Sequence, residues 1–129
     1  MFESLKIMRM ANALAAHSGA RLGVIAQNIA NADTPGFKAQ DLPEFAVTWA
    51  EAGAGGAGMK ATRPGHSDTS VPAAEPMAMR RDGPASPNGN TVSLQDEMVR
   101  AAQVRQDHDM ALAVYKNAGD ILRAALGRR

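Results

Sequence analysis

Apolar positions recur at Leu5, Met8, Ala11, Ala15, Leu22, Ile25 and Ile29. Steps of three, four and seven put them on one stripe of a helix. The opening segment is therefore predicted helical as far as Ile29, with Ser4 as its candidate N-cap. Asn31 is expected to close the helix in a left-handed conformation, and Pro35 forbids its continuation. Gly19 and Gly23 lie inside the stripe; each costs the helix roughly 1 kcal/mol relative to alanine and leaves room for another backbone to come close.

A second stripe runs through Leu94, Met98, Ala101, Val104 or Arg105, His108, Ala111 and Leu112, Tyr115, Ala118, Leu122 and Leu126. Alternating steps of four and three are the pattern of a coiled-coil seam. Asn88-Gly89-Asn90 signals a turn ahead of it. Ser93, followed by Asp96 and Glu97, approximates a capping box with acids where the helix dipole favours them. Gly127 is placed to close the far end, with Arg128 and Arg129 at the dipole's negative pole. Such a helix is about 50 Å long at ~1.5 Å per residue.

Between the two lies a segment of different character. Residues 41–91 hold seven of the 12 glycines and most of the seven prolines, including the low-complexity tract Ala52 to Gly58. The expected state is a mostly extended or irregular connector. Only Phe45, Val47 and Trp49 alternate in the manner of a strand, which is compatible with a short β-hairpin there. The predicted organisation is an N-terminal helix and turn over 1–40, a flexible or small central segment over 41–91, and a C-terminal helix over 92–129. The fold class is all-α: two long terminal helices paired as a coiled-coil hairpin around a Gly/Pro-rich middle.

Composition sharpens this picture. The chain has 129 residues, one small domain's worth. Its aromatic residues are only Phe2, Phe37, Phe45, Trp49 and Tyr115, so an interior of Ala, Leu, Met and Ile suits helices pressed along a seam better than a β-sandwich or an α/β enzyme. Alanines at positions such as Ala13, Ala16, Ala20, Ala102, Ala113 and Ala124 spread small apolar side chains around both helices, which fits helices surrounded by other helices. The net charge of +1 divides as +2, −2 and +1 over the three segments, without the concentrated basic face that nucleic acid demands. No stretch of 18 apolar residues is present, so no membrane insertion is expected. Lys6 and Arg9 ahead of Met10 to Ala16 faintly imitate a signal peptide, but Asn12, His17 and Ser18 interrupt it.

Candidate chemistry is sparse. The absence of cysteine removes disulfides, thiol catalysis and cysteine-bound zinc. His17, His66 and His108 lie in three separate segments without metal-ligand spacing. The acids Asp96, Glu97, Asp107 and Asp109 read as surface charge on a solvated helix. No phosphate loop or nucleophile elbow exists. Neither an enzyme activity nor a cofactor is expected.

The distinctive local feature is Asn28-Ile29-Ala30-Asn31-Ala32-Asp33-Thr34-Pro35-Gly36-Phe37-Lys38-Ala39. Taken alone it is a helix end followed by a turn, in which Pro35 fixes one dihedral, Gly36 permits positive φ and Phe37 offers an apolar anchor. Together with Arg21-Leu22-Gly23-Val24-Ile25-Ala26, it resembles the N-terminal signature of bacterial flagellar rod and hook proteins. Thr62-Arg63-Pro64-Gly65-His66, Pro87 to Met98, and Tyr115-Lys116 through Leu122 to Gly127 are similar to motifs of the FlgB family of proximal-rod proteins. Phe37 stands where the family often has tyrosine, and His108 where many relatives carry an aromatic residue; the Ala/Gly tract has no clear counterpart.

The resemblance implies a structural subunit of the flagellar basal-body rod, exported without a cleaved signal to the periplasm-spanning rod. It implies helical polymerisation through the terminal helices, forming a drive shaft that transmits torque and encloses the export channel. The implied partners are the chain itself, FlgC-like and FlgF-like rod subunits, a FliE-like adapter, and membrane-ring and export-gate proteins at the rod base. Leu22, Ile25, Ile29, Leu94, Met98, Leu112, Tyr115, Leu122 and Leu126 are expected to carry helix pairing and assembly. Asn28, Asn31, Asp33, Thr34, Pro35, Gly36 and Phe37 are expected to form the turn. The competing readings are another rod subunit of FlgC-like type, and a soluble helical-hairpin adaptor or export chaperone.

Overall fold

A computed structural model describes residues 2–54, 63 and 76–127. The elements in chain order are α1 (Phe2–Ala30), β1 (Gln40–Asp41), α2 (Phe45–Ala54), β2 (Met79–Arg80) and α3 (Leu94–Ala125). The molecule is mostly helical, and its main packing is α1 against α3. The two run in opposite directions: Asn28 near the end of α1 meets Glu97 near the start of α3, while Leu14, His17 and Ser18 share a cleft with Val104 and Asp107. Among the described residues no helix is long and apolar enough to cross a membrane. The Ala/Gly tract beyond Ala54, and the motif Thr62 to His66 apart from Arg63, lie outside the described residues.

The contact face is set by a spacing of seven. Ala11, Ser18 and Ile25 are buried on α1, and Glu97, Val104, Ala111 and Ala118 on α3. That period keeps one face of each helix against the other from Ala11 to Ile25 on α1 and from Glu97 to Ala118 on α3. Most of the side chains on this face are small. Ile25 is the largest apolar side chain fully enclosed.

This seam corrects part of the expected one. Ile25 is buried, and Leu22, Ile29 and Leu122 are half-buried. Leu94, Met98, Leu112, Tyr115 and Leu126 are exposed, from 45% at Tyr115 to 70% at Leu126. They do not fill the contact between α1 and α3. Within the described residues the contact is carried by Val104, Ala111 and Ala118, with Ala101 and His108 half-buried beside them. All five lie on the expected stripe; it is the larger side chains given beside them that stand outside the contact.

Other local expectations are also revised. α1 already runs at Phe2, so Ser4 lies inside the helix and is not its N-cap. The strand alternation at Phe45, Val47 and Trp49 is a helix. Phe45 and Trp49 are four residues apart and stack with centroids 5.8 Å apart, an i,i+4 pair on one helical face. The β-pairing lies elsewhere: β1 and β2 form a two-stranded antiparallel ribbon, with Gln40 opposite Arg80 and Asp41 opposite Met79. The central segment is therefore not simply irregular where it is described. Ser93 caps α3 as expected, its hydroxyl accepting from the Asp96 amide at 3.4 Å, and Gly127 follows the helix at φ +68°.

Candidate functional site

At the end of α1 the chain needs partners for carbonyls that no longer have a helical amide above them. Asn31 was expected to solve this by turning left-handed. It does not: among the described residues positive φ is confined to Gly36, Gly89 and Gly127. Instead the last turn tightens, with the Asn31 amide donating to Gln27 and Asn28 carbonyls, and Thr34 donating back to Asn31. The Asn31 side chain also donates to the Gln27 carbonyl at 2.8 Å and accepts from the Thr34 hydroxyl. The bend itself comes at Gly36, at φ +72°.

The carbonyls of this turn are also answered from the far side of the sequence. The buried Asn90 side-chain amide donates to the carbonyls of Asn31, Ala32 and Thr34 at 2.9, 2.7 and 2.9 Å. Its own oxygen accepts from the Val92 amide at 2.7 Å. Around it the two segments are tied by backbone: Gly36 donates to Asn88, Thr91 to Phe37, and Arg81 to Ala39. The Ala39 amide donates to the Thr91 hydroxyl, and Lys38 Nζ reaches the Gly89 carbonyl. Gly36 and Gly89 come so close that a Cβ built on Gly89 would sit 3.5 Å from Gly36 Cα. We call this joint between the two segments the clasp.

Beneath the clasp lies a buried polar group. Asn28 donates from Nδ2 to the Gln40 carbonyl at 2.7 Å and to Glu97 Oε2 at 2.9 Å, and its Oδ1 accepts from the Gln40 amide. Glu97, fully enclosed, accepts from Arg81 Nη2 through its other oxygen. One asparagine and one glutamate thus bind α1, β1, α3 and Arg81, the residue just after β2, together. Beside them Arg21 grips Asp41 with two hydrogen bonds at 2.7 and 2.8 Å, and Arg100 approaches the same carboxylate at 3.4 Å. Burial would raise the Asp41 pKa, but the hydrogen bonds and charge of Arg21, the Leu42 amide and the charge of Arg100 outweigh it and hold the pKa below its usual value. Arg21 is raised in turn, chiefly by its hydrogen bonds to Asp41.

Of the expected turn residues, Asn28, Asn31, Thr34, Gly36 and Phe37 all enter this joint. Asp33 and Pro35 are exposed. Sequence reasoning places Asn90 in a turn without its reach to the end of α1, and misses Arg81, Asp41 and above all Glu97, which reads as surface charge. The available signal was register: Glu97 stands seven residues before Val104, in step with Ala111 and Ala118.

The arrangement holds chain segments together and offers no reacting group. His17 is buried, with Nε2 donating to the Pro43 carbonyl at 2.9 Å and its ring edge-on to Phe45. His108 stands 3.7 Å from the exposed Asp109, and His66 lies outside the described residues. Among the described residues no three His, Cys, Asp or Glu side chains are grouped to hold a metal ion.

Comparison with known proteins points one way. The family described as flagella basal body rod protein matches residues 10–38, which span most of α1 and the turn. The chain is 30% identical over 121 residues to the flagellar basal body rod protein FlgB of Agrobacterium fabrum, covering 89% of this chain and 88% of that protein. It is 35% identical over 96 residues to the protein of the same name from Cereibacter sphaeroides, covering 73% of each.

Proposed function

Because the chain belongs to the FlgB family of flagellar basal body rod proteins, we propose that it builds the proximal rod by packing its α1–α3 hairpin, as a coiled-coil unit, against the hairpins of neighbouring subunits. It is a structural protein of the basal body and not an enzyme. Its mechanical task is to carry torque, and close-packed helices are stiff enough to do so.

The observation that carries the reading is the pairing of a locked end with uncovered apolar side chains along both helices. The clasp fixes how α1 and α3 enter the hairpin. Along α3, Met98, Val99, Met110, Leu112, Tyr115 and Ile121 remain exposed, and Ile7 and Met10 on α1. So much unpartnered apolar surface on a small chain is characteristic of an interaction face. Contacts between unlike faces of successive subunits generate a helix in place of a closed ring. The neighbours in this proposal are copies of the chain, FlgC-like and FlgF-like rod subunits and a FliE-like adapter, with membrane-ring and export-gate proteins at the base. Export to the periplasm-spanning rod proceeds without a cleaved signal.

Mass spectrometry of purified hook–basal bodies from the source organism tests the assignment. The chain should be present at a few copies per particle beside other rod subunits, with its N-terminal residues intact. Absence there, with a monodisperse pool in the cytosol, would overturn it.

A further inference from the structure

The clasp contains the chain's one Asn-Gly pair, Asn88-Gly89. Asparagine is a thermolabile residue, and glycine after it leaves the following amide nitrogen unhindered because it carries no Cβ. The reaction needs no catalyst. The Gly89 main-chain nitrogen gives up its proton to solvent base and attacks Asn88 Cγ, the bond from Cγ to the side-chain nitrogen breaks, and ammonia leaves. Water then opens the five-membered imide at either carbonyl, giving aspartate or isoaspartate. The net change is one water consumed and one ammonia released.

Asn88 is exposed, so solvent base and water reach it. Yet the attacking nitrogen, the side-chain oxygen and both flanking carbonyls are held. The Gly89 amide donates to the Ser86 carbonyl at 2.8 Å. Asn88 Oδ1 accepts from the Asn90 amide at 3.0 Å. The Asn88 carbonyl accepts from Gly36 at 3.0 Å, and the Gly89 carbonyl accepts from Lys38 Nζ at 3.0 Å. Gly89 is further fixed at φ +80° against Gly36. The attacking nitrogen is a donor in use, and neither neighbouring peptide is free to rotate toward Cγ.

We propose that Asn88-Gly89 is a site of spontaneous deamidation that the clasp switches off, so that unclasped chains convert Asn88 and clasped chains do not. The two products have unlike consequences. Aspartate keeps an oxygen where Asn90 N–H needs one. Isoaspartate lengthens the backbone by one carbon ahead of Gly89, which moves Asn90 away from the Asn31, Ala32 and Thr34 carbonyls and prevents the clasp from closing. A chain that waits too long unfolded thereby loses the ability to lock its hairpin.

Six residues away lies an internal control. Asp82-Gly83 forms the same imide by loss of water, Asp82 is exposed, and among the described residues the Gly83 amide donates no hydrogen bond. The test incubates the full chain in mildly alkaline buffer with and without denaturing urea, and follows both sites by peptide mass spectrometry with isoaspartate labelling. Opening of the clasp limits the reaction in the folded chain. Deamidation of Asn88 should therefore be about tenfold or more slower without urea, while isomerisation at Asp82 changes by no more than about threefold. Isoaspartate-88 chains, returned to native buffer, should lack the helical signal that aspartate-88 chains regain. Equal Asn88 rates with and without urea overturn the proposal. So does slowing of Asp82 by the same factor, which would assign the protection to general compactness and not to the clasp.

Discussion

Glu97 shows how much a single buried carboxylate decides. It is fully enclosed, and its oxygens are taken by Arg81 and Asn28. Glu97→Ala leaves the Arg81 guanidinium without its counter-charge and Asn28 Nδ2 with only one of its two acceptors, the Gln40 carbonyl. We expect a loss of about 3 kcal/mol, at the lower end for a broken buried pair because Arg81 keeps a fifth of its side chain in water. Urea denaturation measures it, and the Arg81→Met, Glu97→Leu double variant should recover much of the loss, since an apolar pair leaves no charge stranded. Asn90→Ala removes the Ala32 carbonyl's side-chain donor and a second donor from the Asn31 and Thr34 carbonyls, which keep the Thr34 and Phe37 amides; it should cost about 2 kcal/mol. Asp41 adds a pH dependence of known sign. Its folded pKa is lowered, so its stabilisation is present above the usual carboxylate value and is lost as pH falls through the folded one. The urea midpoint should drop as pH goes below about 4, and the Asp41→Asn variant should show a shallower drop.

At the scale of elements, the long helices were legible because their periodicity extends over many turns, and the α3 cap and the glycine after α3 were legible from their residue types. What escaped was everything that depends on a distant partner. Asn31 has the chemistry of a left-handed cap, but Asn90, brought from 59 residues away, removes the need for one. Phe45, Val47 and Trp49 alternate like a strand, but the i,i+4 stacking of Phe45 on Trp49 and the surrounding alanines favour the helix. Glu97 looked solvated because nothing local shows that Arg81 and Asn28 will meet it. The bend at Gly36 was readable, and the structure adds why glycine suits it: the residue takes φ +72°, a left-handed conformation that side chains disfavour, although a Cβ there would meet no neighbour. Gly36→Val should destabilise the chain by about 2 kcal/mol, the scale of forcing a branched residue into the left-handed region. Thermal unfolding followed by circular dichroism reads this out, and a variant as stable as the parent would show that the bend tolerates another geometry.

For the whole molecule the question is how a hairpin so thinly covered holds a defined shape and still has surface to give away. The answer lies in a division of labour along its length. The clasp end is stabilised within the chain by buried hydrogen bonds and ion pairs. The remainder rests on a narrow contact of alanine, valine and isoleucine that leaves larger side chains outside. Leu112 separates the two roles. It stands next to buried Ala111 on the contact line, yet is itself 49% exposed. A seam residue changed to aspartate would unfold the hairpin. An exposed assembly residue changed the same way would leave the isolated chain nearly as stable, within about 0.5 kcal/mol, the usual range for surface substitutions. Buried between subunits, however, the same unpaired charge would be costly. Leu112→Asp should therefore keep its helical content and urea midpoint while disappearing from purified basal bodies and abolishing motility. A matching change at Ala111, on the buried line, should lose both folding and assembly. If Leu112→Asp instead folds and assembles normally, the face it marks is not the one that neighbouring subunits cover, and the packing proposed for the rod has to be rebuilt around another side of the hairpin.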